Sequence, residues 1–351
     1  MINLKRLLRE NLGTVGMLLF AACFYLLFFE ANHADQTTAK GSGPAMNQTK
    51  QSASQELKGK EELFKKNLES RPELLTLLSL VVLAVLGLGI AADIYFLRRM
   101  MRGLPLFPGA LPQRDVRWGL AEVWKVFVFL FFIEAAIIFA EILFSSLFKW
   151  PLAGKDLVMM INSLFRDVAV AGLVIYWVKR RFKEPLSHIG LTTKNLFKNI
   201  TAGILSYLAL LPVLLAAIFI VAMIAQIFSY EPPPQTVVQL YLKESQKGSL
   251  VFFTFFVAIA GPAIEEIFFR GFAYPAFRTR FGVRFAILIT AAIFALLHWH
   301  LAAFLPIFIL GLCLASLYEK TGSLVPSMTL HMIHNLIMVG MTLGFKGMSH
   351  A

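Results

Sequence analysis

The sequence predicts an all-α polytopic integral membrane protein with about nine transmembrane helices and a buried polar cavity among its C-terminal helices. Three observations support this fold class: the composition, the recurrence of long apolar runs, and the placement of basic residues in short loops. Hydrophobic residues make up 58% of the 351 residues, charged residues only 15%, and the mean hydropathy is +0.69. Soluble domains carry more charge than this, so a soluble enzyme is excluded.

The net charge of +12 is explained by membrane topology and does not indicate a nucleic-acid partner. The basic residues cluster in short loops between apolar runs, as the positive-inside rule requires of cytoplasmic loops. Cys23 and Cys313 both lie within apolar runs, so they are packing residues and form no disulfide framework.

Nine apolar runs are predicted to cross the bilayer, and the amino terminus is predicted inside and the carboxyl terminus outside. The first run could instead be a signal peptide, but the EANHADQ that follows is a poor cleavage site. We predict an N-terminal extension, residues 1–117, with two spans and an extracytoplasmic loop at 30–73, and a core at 118–345. In chain order the runs are Gly13–Phe29, Leu74–Leu97, Leu120–Phe148, Leu157–Val178, Ile200–Phe228, Leu250–Phe277, Phe285–Trp299, Leu301–Leu317 and Leu324–Leu343.

The sixth run contains charges at membrane depth, within Gly261–Phe277. Each charge there costs about 2.5 to 3.5 kcal/mol, so such residues are usually paired, turned inward and functional. Glu266 and Arg270 are four residues apart and can form an ion pair on one helix face, whereas Glu265 points about 100° away. One glutamate is then the counter-ion of the arginine, and the other is suited to general acid/base chemistry.

Further charges are predicted inside the third and fourth spans. Glu134 and Glu141 share one face of the third span, and the fourth span carries Arg166 and Asp167. We predict that Arg166 pairs with one of those two glutamates and that this pair braces the two helices.

Histidines concentrate in the last third of the chain. His298 and His300 end the seventh span, while His331, His334 and Asn335 lie in the ninth. Peptide hydrolysis requires a base for water, a proton shuttle and donors to the oxyanion. These can be supplied by a carboxylate, an imidazole and a His/Asn pair. His300 is predicted to be interfacial, and the role of His334 is left open.

Three ordered motifs at these residues resemble the CPBP family of intramembrane glutamate proteases, which includes the type II CAAX prenyl endopeptidases and bacteriocin-processing proteins. The resemblance is sharpest at 258–336 and implies that Glu265 and His298 activate water and that His331 and Asn335 stabilise the oxyanion. It places Glu266 and Arg270 in a supporting shell. Phe294 is predicted to pack and orient His298, and no metal or cofactor is predicted. The motifs are EExxxR at Glu265–Arg270, FxxxH at Phe294–His298 and HxxxN at His331–Asn335.

The predicted function is a metal-independent endopeptidase of the prokaryotic inner membrane that cuts near the C-terminus of a membrane-associated or lipid-modified protein or peptide. A zinc protease is the chemical alternative, although the chain lacks HExxH. The sequence is also compatible with a non-catalytic scaffold, a toxin-immunity protein or a transporter. The N-terminal extension is expected to anchor the chain or to bind a partner.

Overall fold

The computed structural model describes residues 59–107, 115–148, 155–230 and 232–349. All regular elements in these ranges are helices, which confirms the predicted all-α membrane class. Of the described residues, 59–77 and 344–349 form one compact unit and 78–343 form a second. No finding tests the predicted boundary at residue 117, which stays a prediction.

Ten helices, named α1 to α10 here, follow a short helical segment at 59–69. The longer helices overlap the predicted apolar runs, whereas a short helix, Thr236–Lys243, lies between two of them. The helices are α1 Pro72–Met101, α2 Leu120–Phe148, α3 Lys155–Tyr176, α4 Leu196–Ile227, α5 Thr236–Lys243, α6 Lys247–Phe255, α7 Gly261–Glu266, α8 Tyr274–Leu296, α9 Leu301–Thr321 and α10 Leu324–Ser349.

Seven helical stretches in the described residues are long and apolar enough to cross a membrane, compared with the nine predicted. The first predicted span, Gly13–Phe29, lies outside the described residues. The sixth and seventh predicted spans fall in one continuous stretch, Lys247–Leu296, which is interrupted at Gly282 (φ 78°, ψ 170°). The rings of Phe269 and Phe294 are 5.2 Å apart, so this stretch folds back on itself. Its division into two membrane passes stays a prediction.

Two π-helical turns flank α7 and set the direction of its glutamates. The first turn, Phe256–Ala260, directly precedes Gly261 and Pro262. The Gly261 N–H bonds back to the Phe256 carbonyl, and Pro262 has no N–H to offer the next carbonyl, that of Val257. The second turn, Ile267–Ala273, follows immediately after Glu266. Such turns frequently occur at functional sites.

The loop before α4 packs against the second π-helical turn. Gly190 adopts a left-handed conformation (φ 79°), and its carbonyl accepts a 2.9 Å bond from the Leu324 N–H at the start of α10. A side chain on Gly271 would approach the Ile189 carbonyl to 3.1 Å. These glycines therefore allow the loop to join the glutamate-bearing stretch to the helix that carries His331.

The predicted brace between the third and fourth spans is confirmed. Arg166 Nη1 lies 3.2 Å from Glu134 Oε2, which links α3 to α2. The second candidate, Glu141, instead accepts a 2.6 Å hydrogen bond from Asn162 Nδ2. The sequence could not decide between the two glutamates because both lie on the same helix face.

The close crossing of α4 and α10 predicts a test of packing. A Cβ on Gly203 would lie 2.6 Å from the Pro326 carbonyl oxygen, so Gly203→Ala should force the helices apart and destabilise the protein by about 1–3 kcal/mol. The control is Gly172→Ala in α3, since a Cβ there meets nothing within 4 Å. Thermal unfolding in detergent should show a lower midpoint only for Gly203→Ala; equal midpoints would contradict the close crossing.

Candidate active site

A fully buried ion pair forms the base of the site. Arg270 Nη1 lies 2.7 Å from Glu266 Oε1, and both side chains have 0% exposure. The guanidinium also donates to the Gly311 carbonyl of α9 at 3.4 Å and lies 4.6 Å from the centre of the Phe294 ring. The predicted pairing of Glu266 with Arg270 is therefore present, and it is held from α8 and α9 as well as from its own helix.

His331 of α10 contacts both glutamates. Its Nδ1 lies 3.1 Å from Glu266 Oε1 and its Nε2 lies 3.8 Å from Glu265 Oε2. A carboxylate only accepts, so Nδ1 carries a hydrogen and donates it to Glu266. The other nitrogen faces Glu265 across 3.8 Å, which is longer than a hydrogen bond.

The two glutamates differ in their surroundings. The Glu265 side chain is 33% exposed, whereas Glu266, directly beside it in sequence, is completely buried. The site thus has a closed side at the ion pair and a partly exposed side at Glu265.

His298 is positioned by the residue that begins its motif. Its Nδ1 lies 2.8 Å from the Phe294 carbonyl oxygen and so donates to it, which leaves the Nε2 of the neutral ring as a proton acceptor. The Phe294 ring is 1% exposed and contacts the rings of His298 at 4.7 Å and His331 at 5.6 Å. Phe294 therefore packs between the two imidazoles and the arginine.

Asn335 replaces a missing backbone donor. Its Nδ2 donates to the Val257 carbonyl at 2.8 Å, which is the carbonyl that Pro262 leaves without an N–H partner. One amide hydrogen of Asn335 is thereby engaged in holding α10 against the first π-helical turn. The sequence did not indicate this contact, although Pro262 was the signal that a carbonyl would need another donor.

The remaining histidines have separate partners. His300 begins α9, where its Nδ1 accepts from the Ala303 N–H and its Nε2 donates to the Pro233 carbonyl at 2.6 Å. Both of its nitrogens are thus used for capping and for holding a loop. His334 lies 3.5 Å from the hydroxyl of Tyr207 on α4, a tyrosine that no sequence motif singles out.

In the described part of the chain, no group of three or more His, Cys, Asp and Glu residues is arranged to hold a metal ion. One Glu266 oxygen already bonds to both Arg270 and His331, so this carboxylate is committed to a cation and an N–H donor.

A comparison with protein families gave a match that lies in this region. Residues 247–337 match the family model of Rce1-like type II CAAX prenyl endopeptidases. This stretch is similar to that family. It contains all three motifs, so the family resemblance is confirmed for this part of the chain. Comparisons with curated proteins and with solved structures gave no match.

The buried pair of Glu266 and Arg270 predicts a large stability effect. Arg270→Met leaves Glu266 buried without its counter-ion and should lower the free energy of unfolding by about 3–5 kcal/mol. The same substitution at Arg278, which pairs with Glu319 and is 26% exposed, should cost at most about 1 kcal/mol. Denaturation in detergent measures both, and equal effects would mean that burial does not govern the pair.

Proposed function

We propose that this protein is an intramembrane, metal-independent endopeptidase that hydrolyses a peptide bond near the C-terminus of a membrane-associated or lipid-modified protein or peptide. The observation that carries the proposal is the partly exposed Glu265 beside His331 and the buried Glu266–Arg270 pair, within a segment that matches CAAX-type endopeptidases.

Glu265 is the group proposed to activate water. It takes a proton from a water molecule, whose oxygen attacks the carbonyl carbon of the scissile peptide bond. His298 is the second proton acceptor, because its Nδ1–H is engaged with a backbone carbonyl and its Nε2 lone pair is available. The proton then moves to the nitrogen of the leaving amine as the C–N bond breaks.

The charge that develops on the carbonyl oxygen requires hydrogen-bond donors. His331 and the remaining amide hydrogen of Asn335 are the proposed donors, as the family resemblance implies. Glu266 and Arg270 support this arrangement, since Glu266 orients the His331 ring through Nδ1 and Arg270 balances the charge of Glu266.

The location of the site restricts the substrate. Glu265 lies within a membrane-crossing stretch, so a substrate must enter from the bilayer or from its surface. A peptide carrying a lipid, such as a prenylated C-terminal tail, satisfies this condition, and so does a membrane-bound precursor peptide. We place the protein in the inner membrane of a prokaryote, which fractionation of a tagged chain would test.

A non-catalytic scaffold or toxin-immunity role for the same fold is the second candidate. It is favoured by one observation: the ion pair, the Phe294 packing and the Asn335 contact all have structural partners, so these motif residues would also serve a purely structural protein. A scaffold role gives no reason for the partial exposure of the Glu265 side chain.

The glutamate assignment predicts a specific loss of activity. Glu265→Gln keeps size and hydrogen bonding but removes the base, so cleavage of a prenylated or membrane-peptide library should fall by about 10²–10⁴-fold. Glu141→Gln in α2 is the matched control and should retain activity, since Glu141 bonds only with Asn162 among the described residues. Sequencing the products identifies the bond that is cut.

Two outcomes would contradict the assignment. Full activity of Glu265→Gln with complete loss in a correctly folded Glu266→Gln would exchange the roles of the glutamates. Full cellular function of properly inserted Glu265→Ala and His298→Ala variants would favour the scaffold.

Metal independence is tested separately. The purified protein dialysed against a zinc chelator should keep its rate of cleavage, because the proposed mechanism uses only side chains. Stoichiometric zinc in the purified protein, with activity lost on chelation and restored by zinc alone, would establish the zinc protease instead.

A further inference from the structure

A contact between α4 and α10 lies outside the three motifs and remains to be explained. The hydroxyl of Tyr207 is 3.5 Å from Nδ1 of His334, and the two rings meet edge to face with centres 6.0 Å apart. Tyr207 is only 4% exposed, in a helix that is otherwise apolar over most of its length. A buried hydroxyl at this position needs a hydrogen-bond partner.

The contact defines the tautomer of His334. Among the described residues, Nδ1 of His334 is the acceptor available to the Tyr207 hydroxyl hydrogen. If Nδ1 carried the ring hydrogen instead, the buried hydroxyl would have no acceptor. The neutral ring of His334 therefore carries its hydrogen on Nε2, and this N–H is free to donate to another molecule.

His334 lies on the same side of α10 as the motif residues. It is three residues after His331 and one before Asn335, so at 100° per residue the three positions fall within an arc of about 100°. The side chain is neither fully buried nor fully exposed. This is the position of a group that borders a site without forming its buried base.

The contacts within the site leave the oxyanion short of donors. The two nitrogens of His331 are directed at Glu266 and Glu265, and one amide hydrogen of Asn335 is engaged with Val257. A tetrahedral oxyanion is usually held by two or more aligned donors. The N–H of His334 is a further donor on the same face.

We propose that His334 is a catalytic residue that donates from Nε2 to the substrate carbonyl oxygen, and that Tyr207 is the positioning residue that fixes its tautomer. This inference rests on the proposed peptidase function and adds a donor outside the three motifs. His334 is thus a third donor to the oxyanion, beside the proposed donors His331 and Asn335.

Two amide substitutions at residue 334 separate the two nitrogens. The amide nitrogen of glutamine reaches the position of Nε2, and the shorter asparagine reaches that of Nδ1. We expect His334→Gln to keep kcat within about tenfold of the unaltered protein, and His334→Asn and His334→Ala to lower kcat by about 10²-fold or more, with little change in KM. Added imidazole should restore part of the rate of His334→Ala.

Tyr207→Phe tests the positioning role. It removes only the hydroxyl, so the ring hydrogen of His334 can occupy either nitrogen, and kcat should fall severalfold without a change in KM. Tyr241→Phe is the matched control, because Tyr241 is also buried and its hydroxyl bonds to Thr254 in a separate cluster. That control should retain the full kcat.

The results that would overturn the proposal are distinct from those that overturn the peptidase function. A rate retained by His334→Asn but lost by His334→Gln would make Nδ1 the important atom, and the residue would be a brace to Tyr207. An unchanged kcat in all three variants, or no rescue of His334→Ala by imidazole, would also overturn it. If Glu265→Gln is inactive in the same assay, the peptidase function stands; if Glu265→Gln and Glu266→Gln are both fully active, both proposals fall. Detergent-purified variants are compared only where their unfolding midpoints match.

Discussion

The ion pair between Glu266 and Arg270 is the constraint on which the rest of the site depends. Two opposite charges without solvent contact need partners from the surrounding protein. Here the chain supplies a carbonyl from α9, an aromatic face from α8 and an imidazole from α10, although Glu266 Oε2 and Arg270 Nε have no hydrogen-bond partner among the described residues. Three helices thus converge on this pair, and their convergence brings Glu265 beside His331.

The same requirement explains why the glutamates differ. Adjacent residues on a helix point about 100° apart, so only one of them can share the face of Arg270. Glu266 lies on that face and is buried by the residues that contact it. Glu265 is turned toward the partly exposed side, where it remains near His331. Burial of one carboxylate and exposure of the other follow from sequence adjacency alone once the arginine is fixed.

The sequence predicted the features that depend on one helix at a time. Hydropathy located the spans, and the four-residue spacing predicted the pairing of Glu266 with Arg270. Features that depend on how two helices are rotated against each other were not predictable, because one sequence carries no information on that rotation. The bridging position of His331, the choice of Glu134 over Glu141, and the Tyr207–His334 contact are of this kind. The bond from Asn335 to Val257 is an intermediate case. Pro262 indicates that the Val257 carbonyl lacks a backbone N–H donor, but the sequence does not indicate which side chain replaces that donor.

The interruption at Gly282 has a mechanical consequence. Its backbone angles, φ 78° and ψ 170°, fall in a region that is essentially reserved for glycine, and helix continues directly on both sides. The arm that carries Glu265 is therefore joined to the arm that carries His298 through one glycine, with no loop between them. The relative position of the two proposed proton acceptors depends on the backbone angles of this single residue.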